Sequence, residues 1–198
     1  MKNLLLRLSR RSSFKLLQDK TILILFVGIV LVVGVDVGLN TTIPKILMER
    51  CPISLDKAGL GTSLYFIART IGTFIGAFLL IKLSGRKFFI VSMLVAIPAL
   101  LVMLLTSNIW GILIMVFIMG LAISNVFSII FASALKSIPE RSNDISGLMV
   151  MGIAGGAIVL LIMGVMADYF GQIGGMAILL IALIYLLFSA FNLEKNNI

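Results

Sequence analysis

Long unbroken apolar runs set the pattern of this chain. Six of them, approximately 21–43, 59–81, 88–106, 109–134, 145–167 and 173–192, hold about 20 residues or more. That is the length at which a helix rising 1.5 Å per residue crosses about 30 Å of hydrocarbon. Between them lie short segments rich in proline, charge, Ser or Asn, at 44–58, 82–87, 107–108, 135–144 and 168–172. Connections this short make neighbouring helices antiparallel, and none has the length of a domain linker. The pattern therefore predicts an all-α membrane protein with a six-transmembrane-helix bundle over 21–193, a basic segment at 1–20 and a tail at 194–198. Strands of a membrane barrel would alternate apolar and polar residues over about ten positions, and these runs do not.

Composition supports lipid as the solvent. Of 198 residues 61% are hydrophobic and 12% charged, with a mean hydropathy of +1.21, against about 45–50% and about 25% in soluble chains. There is no histidine, and Cys51 is the one cysteine, so metal and Ser-His-Asp chemistry lack their usual groups and no internal disulfide can form. No cofactor is expected, and no enzyme. A net charge of +8 would suggest nucleic acid only as a patch on a soluble face. Here the cations occupy loops, which argues against a nucleic-acid partner and sets an orientation instead. Twelve Lys and Arg fall on the side of the N-terminal segment, the loops at 82–87 and 135–144 and the tail. Lys45, Arg50 and Lys57 fall on the other. Both termini are thus expected in the cytoplasm of a multi-pass protein of a bacterial inner membrane. In residues 1–20, Leu4, Leu5, Leu8, Phe14, Leu16 and Leu17 interleave with Arg7, Arg10, Arg11 and Lys15. This suits either a segment lying on an anionic membrane surface or a disordered basic tail. It is not a signal peptide, because the apolar stretch is too short and no small-residue cleavage site follows.

Ionisable residues at hydrocarbon depth are costly and are functional candidates by default. Two occur, Asp36 and Arg69. On the predicted spans Asp36 lies about 10 Å below the outer surface and Arg69, on the next antiparallel helix, about 15 Å below it, so a charge pair within reach of an arginine side chain is expected. Asn40, one turn on from Asp36, shares its face, with Thr41 beside it. Tyr65, Arg69 and Thr73 recur at spacing four on the second helix, and the fourth span supplies Ser124, Asn125 and Ser128. Asn40, Thr41, Tyr65, Asn125 and Ser128 become candidate contacts to a hydroxyl-rich solute. The alternative for the amides is a hydrogen bond between helices, and for the serines a bond to the carbonyl one turn back. Asp36 and Arg69 become candidates for proton coupling or for a neutral packing pair. The Gly pairs at 34/38, 72/76, 152/156 and 171/175 read as close helix crossings, and the Met-rich stretches as packing.

Ser84-Gly85-Arg86-Lys87 stands in the loop between the second and third runs. It resembles the Gly-Arg-Lys/Arg loop that follows the second span in each half of the major facilitator superfamily, which makes Gly85, Arg86 and Lys87 a candidate gating loop. Lys82 stands where that family's first half carries an acid, so the resemblance is to the second half. The elements Val35-Asp36-Val37-Gly38, Gly72-Thr-Phe-Ile-Gly76, Ser128-Ile-Ile-Phe131 and Gly155-Gly156-Ala157 through Gly164 to Asp168 are similar, in order and spacing, to the C-terminal half of the fucose/proton symporter branch, which includes glucose/galactose permeases. Val159-Leu160-Leu161 stands where the branch often has a proline pair, and the branch's helix-two arginine aligns nearer Thr73 than Arg69.

The resemblance implies one half of a twelve-helix secondary transporter. Its cavity for a sugar or similar small polar solute would lie between two six-helix halves, with a proton as the coupling ion and a second half supplied by another chain or another copy. Two other readings stay open. One is a drug or metabolite exporter half of the same fold, and the other is a truncated fragment that does not transport.

Overall fold

The computed structural model describes residues 15–51 and 53–193. The basic stretch at 1–14 and the tail at 194–198, both read above from sequence, lie outside the described residues. Leu16–Gln18 makes a short 3-10 turn whose Leu16 is buried. Asp19 then starts the first long helix, α1 (Lys20–Arg50), its carboxylate accepting from the backbone N–H of Thr21 at 2.8 Å and Ile22 at 3.2 Å. These are donors that a helix start leaves unpaired. The other elements are α2 (Leu55–Lys82), α3 (Gly85–Leu105), α4 (Ile109–Ile123), α5 (Val126–Ser137) and α6 (Ser142–Asn192).

The first apolar run ends at 43 in the sequence reading, yet α1 continues for seven more residues with Pro44 inside it. Proline removes the N–H that would bond the carbonyl one turn back, here that of Asn40. The Thr62 hydroxyl of α2 donates to that carbonyl at 3.4 Å instead, so the freed acceptor is partnered across helices and the helix goes on. Arg50, in the last turn, donates through Nη1 to the carbonyls of Met103 at 3.1 Å and Thr106 at 2.9 Å. A residue expected in an outer loop thereby caps the C-terminus of α3 with positive charge.

Two boundaries differ in kind from the pattern. The run 109–134 is split by a turn at Ser124 and Asn125 into α4 and α5. The runs 145–167 and 173–192 belong to one helical element, α6, in which Gly171 has the non-helical angles φ 67 and ψ −171. Among the described residues, five helices are long and apolar enough to cross a membrane when α4 with α5, and the whole of α6 with the turn before it, each count as one. The chain nevertheless reverses at Gly171. A Cβ on Gly174 would sit 2.5 Å from the Met166 carbonyl, and one on Gly175 3.2 Å from that of Met163. In a straight helix Met163 and Gly175 would be about 18 Å apart.

α1 is the central element, and both limbs of α6 lie along it. Gly34 faces Val159, Gly155 and Gly156 face Val30 and Val33, and Gly38 meets Met163 and Leu179. Further along the second limb, the Tyr185 hydroxyl donates to the Ile24 carbonyl at 3.3 Å. α2 packs on α1 through Gly61 against Ile43 and Leu47, and on α4 through Gly72 and through Gly120 of α4 itself. Of the glycines read as close crossings, those at 34, 38, 72, 76, 152, 156 and 175 lie against neighbouring atoms, whereas Gly171 has nothing within 4 Å of an added Cβ and serves the reversal instead.

Candidate functional site

Asp36 and Arg69 stand level at the middle of their helices. Because α1 runs to Arg50, 14 residues follow Asp36, about 21 Å of helix rather than the expected 10 Å. Arg69 is likewise central in Leu55–Lys82. Arg69 Nη1 donates to Asp36 Oδ2, forming an ion pair whose side chains are 31% and 17% exposed. The other carboxylate oxygen, Oδ1, accepts the Tyr65 hydroxyl at 2.7 Å. Tyr65 is fully buried, so its hydroxyl serves the carboxylate and faces no open space. Thr73, one turn past Arg69, is exposed and donates to the Arg69 carbonyl at 2.9 Å. A cavity of 20 Å³, lined by Val32, Val33, Asp36, Arg69, Ile123 and Phe127, lies against the pair. It has room for about one water molecule and none for a sugar.

Asn40 lies beside this centre. Its Nδ2 donates to the Asp36 carbonyl at 2.9 Å, while its Oδ1 is buried with no partner among the described residues. An unpartnered acceptor at this depth is unfavourable by about 1–3 kcal/mol. Ser128 is exposed on α5. Thr41, by contrast, is turned about 100° from Asn40 around the helix. Its hydroxyl donates to the Gly38 carbonyl at 2.9 Å, and it lines a different cavity of 230 Å³, between α1 and the two limbs of α6, with Thr42, Lys45 and Gln172. Asn125 is interior, 5% exposed, and donates to the Gly72 carbonyl and to Ser124 Oγ, both at 2.9 Å. That is the helix-to-helix bond offered as its alternative. Ser124 also takes its alternative partner, donating to the Leu121 carbonyl at 2.8 Å.

In the loop read as a gate, Leu83 and Ser84 alone connect α2 and α3. Ser84 is the N-cap, accepting from the Lys87 backbone N–H at 3.4 Å. Gly85 is buried in the first turn, Lys87 is exposed, and Arg86 Nη2 donates to the Phe191 carbonyl at 2.8 Å, tying this corner to the end of α6.

The model of the Major Facilitator Superfamily matches residues 25–196. The chain belongs to the major facilitator superfamily. This is a family of membrane transporters and not of enzymes, and the chain is a multi-pass membrane protein. It is 28% identical over 150 residues to the glucose/galactose transporter of Brucella abortus biovar 1 (strain 9-941), and equally to that of strain 2308; the match covers 73% of this chain and 35% of each relative. A crystal structure of the Escherichia coli fucose:proton symporter superposes with a TM-score of 0.86 at 20% identity, over 94% of this chain and 46% of that one. A second structure of that symporter, in the outward conformation, gives the same score over 45% of its chain. The chain thus spans between about a third and a half of the proteins it matches, and its fold is one half of the superfamily fold.

Proposed function

We propose that the chain is one half of a proton-coupled transporter for a sugar or similar small polar solute, working by alternating access against a second half. The observation that carries this reading is a carboxylate at mid-helix depth with each oxygen engaged, one by buried Tyr65 and the other by half-open Arg69. One turn from it stands Asn40 with its unpartnered buried acceptor, and Thr73, one turn past Arg69, and Ser128 of α5 are exposed. A proton reaching Asp36 competes with Arg69 for Oδ2. A solute hydroxyl that draws Arg69 away therefore favours protonation, and by linkage the proton favours the solute-bound state. The sugar and proton named for the relatives fit this chemistry, and the shortage of space on the chain's own side fits a cavity completed by another wall. That wall is a separate first half or a second copy.

In this reading the chain makes six passes. α4 and α5 serve as one, and α6 as two antiparallel ones joined at Gly171. Both termini face the cytoplasm of a bacterium, and the loop 82–87 belongs to the cytoplasmic gate. Reporter fusions at Asn108 and at the C-terminus should read outside and inside. The function is tested in vesicles holding the chain with its partner half and an imposed pH gradient. Asp36→Asn should abolish uphill accumulation of labelled hexose while leaving exchange across the membrane intact, and Arg69→Ala should damage both. Accumulation by Asp36→Asn equal to that of the parent would make Asp36 a packing residue and move coupling elsewhere.

A further inference from the structure

A large cavity lies away from the charge pair. It is a groove of 730 Å³ between α2, α3 and α4, walled by Gly76, Leu79, Leu83, Val95 and Leu121 among others, with Lys87 at one end. Two features show what it is shaped to take. On α2 it runs from Gly72 to Leu83, about 16 Å of helix, which is half of the roughly 30 Å hydrocarbon thickness and so the depth of one leaflet. Its floor is closed because Gly72 and Gly76 let α2 lie directly on Leu121, Ser124 and Asn125, so no side chain of α2 fills it. Lys87 lines it and Lys82 precedes the lining residue Leu83, so the charge next to this end is of one sign. Lys82 and Lys87 are exposed and take part in no ion pair among the described residues, and residues 57–139 contain no Asp or Glu at all.

We propose that this groove holds one acyl chain of an anionic phospholipid from the leaflet on the Lys87 side, with the headgroup phosphate between Lys82 and Lys87. An acyl chain satisfies the apolar walls over one leaflet's depth. The two lysines, with no carboxylate from residue 57 to 139 to neutralise them, select a negative headgroup over a zwitterionic one by about fivefold each. The lipid wedges the faces of α2 and α3 that the short Leu83-Ser84 connection leaves splayed, and so sets how α3 sits on the rest of the bundle.

The test places a tryptophan in the groove. In a Trp110→Phe background, which removes the one native tryptophan, Val95→Trp reports from the groove and Ile184→Trp from the exposed face of α6. Each lies eight residues from the cytoplasmic end of its wall, Lys87 or Asn192. The full chain is reconstituted in phosphatidylcholine vesicles containing a small fraction of either brominated phosphatidylglycerol or brominated phosphatidylcholine. The expected result is quenching of Val95→Trp at a phosphatidylglycerol fraction at least about fivefold lower than for phosphatidylcholine. Ile184→Trp should show a smaller preference, and Lys82→Ala with Lys87→Ala should abolish that of Val95→Trp. Equal quenching by the two lipids at Val95→Trp, an equal preference at both reporters, or a preference that survives loss of both lysines would overturn the proposal. Circular dichroism of each variant confirms that the helices are retained.

Discussion

Removing the charges of Asp36 and Arg69 singly and together should reveal how far the pair is desolvated. Arg69→Met keeps most of the side-chain volume and leaves Asp36, 17% exposed, with Tyr65 as its remaining side-chain partner. Breaking a buried pair from one side costs about 3–5 kcal/mol, and partial exposure puts this case at the low end, about 3 kcal/mol. Asp36→Asn leaves Arg69, 31% exposed, whose long stem can turn its head toward water, at about 2 kcal/mol. The double variant strands no charge and should cost about 1–2 kcal/mol, since replacing both members of a buried pair is close to neutral. The sum of the single costs then exceeds the double by about 3 kcal/mol, the top of the range for residues in direct contact. Reversible unfolding in mixed micelles, followed by helical circular dichroism across a denaturing-detergent titration, measures each value. Additivity within about 0.5 kcal/mol would mean that the two charges are hydrated independently, and the coupling mechanism built on their competition would fail with it.

Substitutions at three further sites test the frame of the bundle. Gly76→Ala should destabilise by about 2–3 kcal/mol, because the new methyl would lie 2.0 Å from Asn125 Nδ2 and must displace the amide that bonds the Gly72 carbonyl. Gly59→Ala, with nothing within 4 Å, should be neutral or slightly stabilising in the same unfolding assay. Arg50→Met should cost about 2 kcal/mol by uncapping the Met103 and Thr106 carbonyls, with Arg50→Lys recovering part of the loss. Amide exchange should then rise first in the last turn of α3.

The helices and the charge pair were legible because their signals are local. Run length read against bilayer thickness finds spans, and a charge inside such a run stands out. What pattern could not supply was each helix's rotation and end. Asn40 and Thr41 are neighbours in sequence and were read as one site, yet the 100° step between them sends one beside Asp36 and the other toward α6. Pro44 read as a stop, since the hydroxyl that rescues its lost hydrogen bond comes from Thr62 on another helix. Arg50 read as a loop cation for the same reason: its partners are 53 and 56 residues away. Asn125 carried both of its readings equally until Gly72 was seen opposite it.

The reversal at Gly171 joins two limbs with no slack between them. Its angles fall in a region that is essentially reserved for glycine, and Gly174 and Gly175 press the return limb against the outgoing one within a single turn of the bend. A tilt of the first limb is therefore expected to carry the second with it. Gly34, Gly38, Gly155 and Gly156 key both limbs to α1, the helix that carries Asp36. The hairpin and the charge pair are thus joined by direct packing on one helix, with no intervening loop between them.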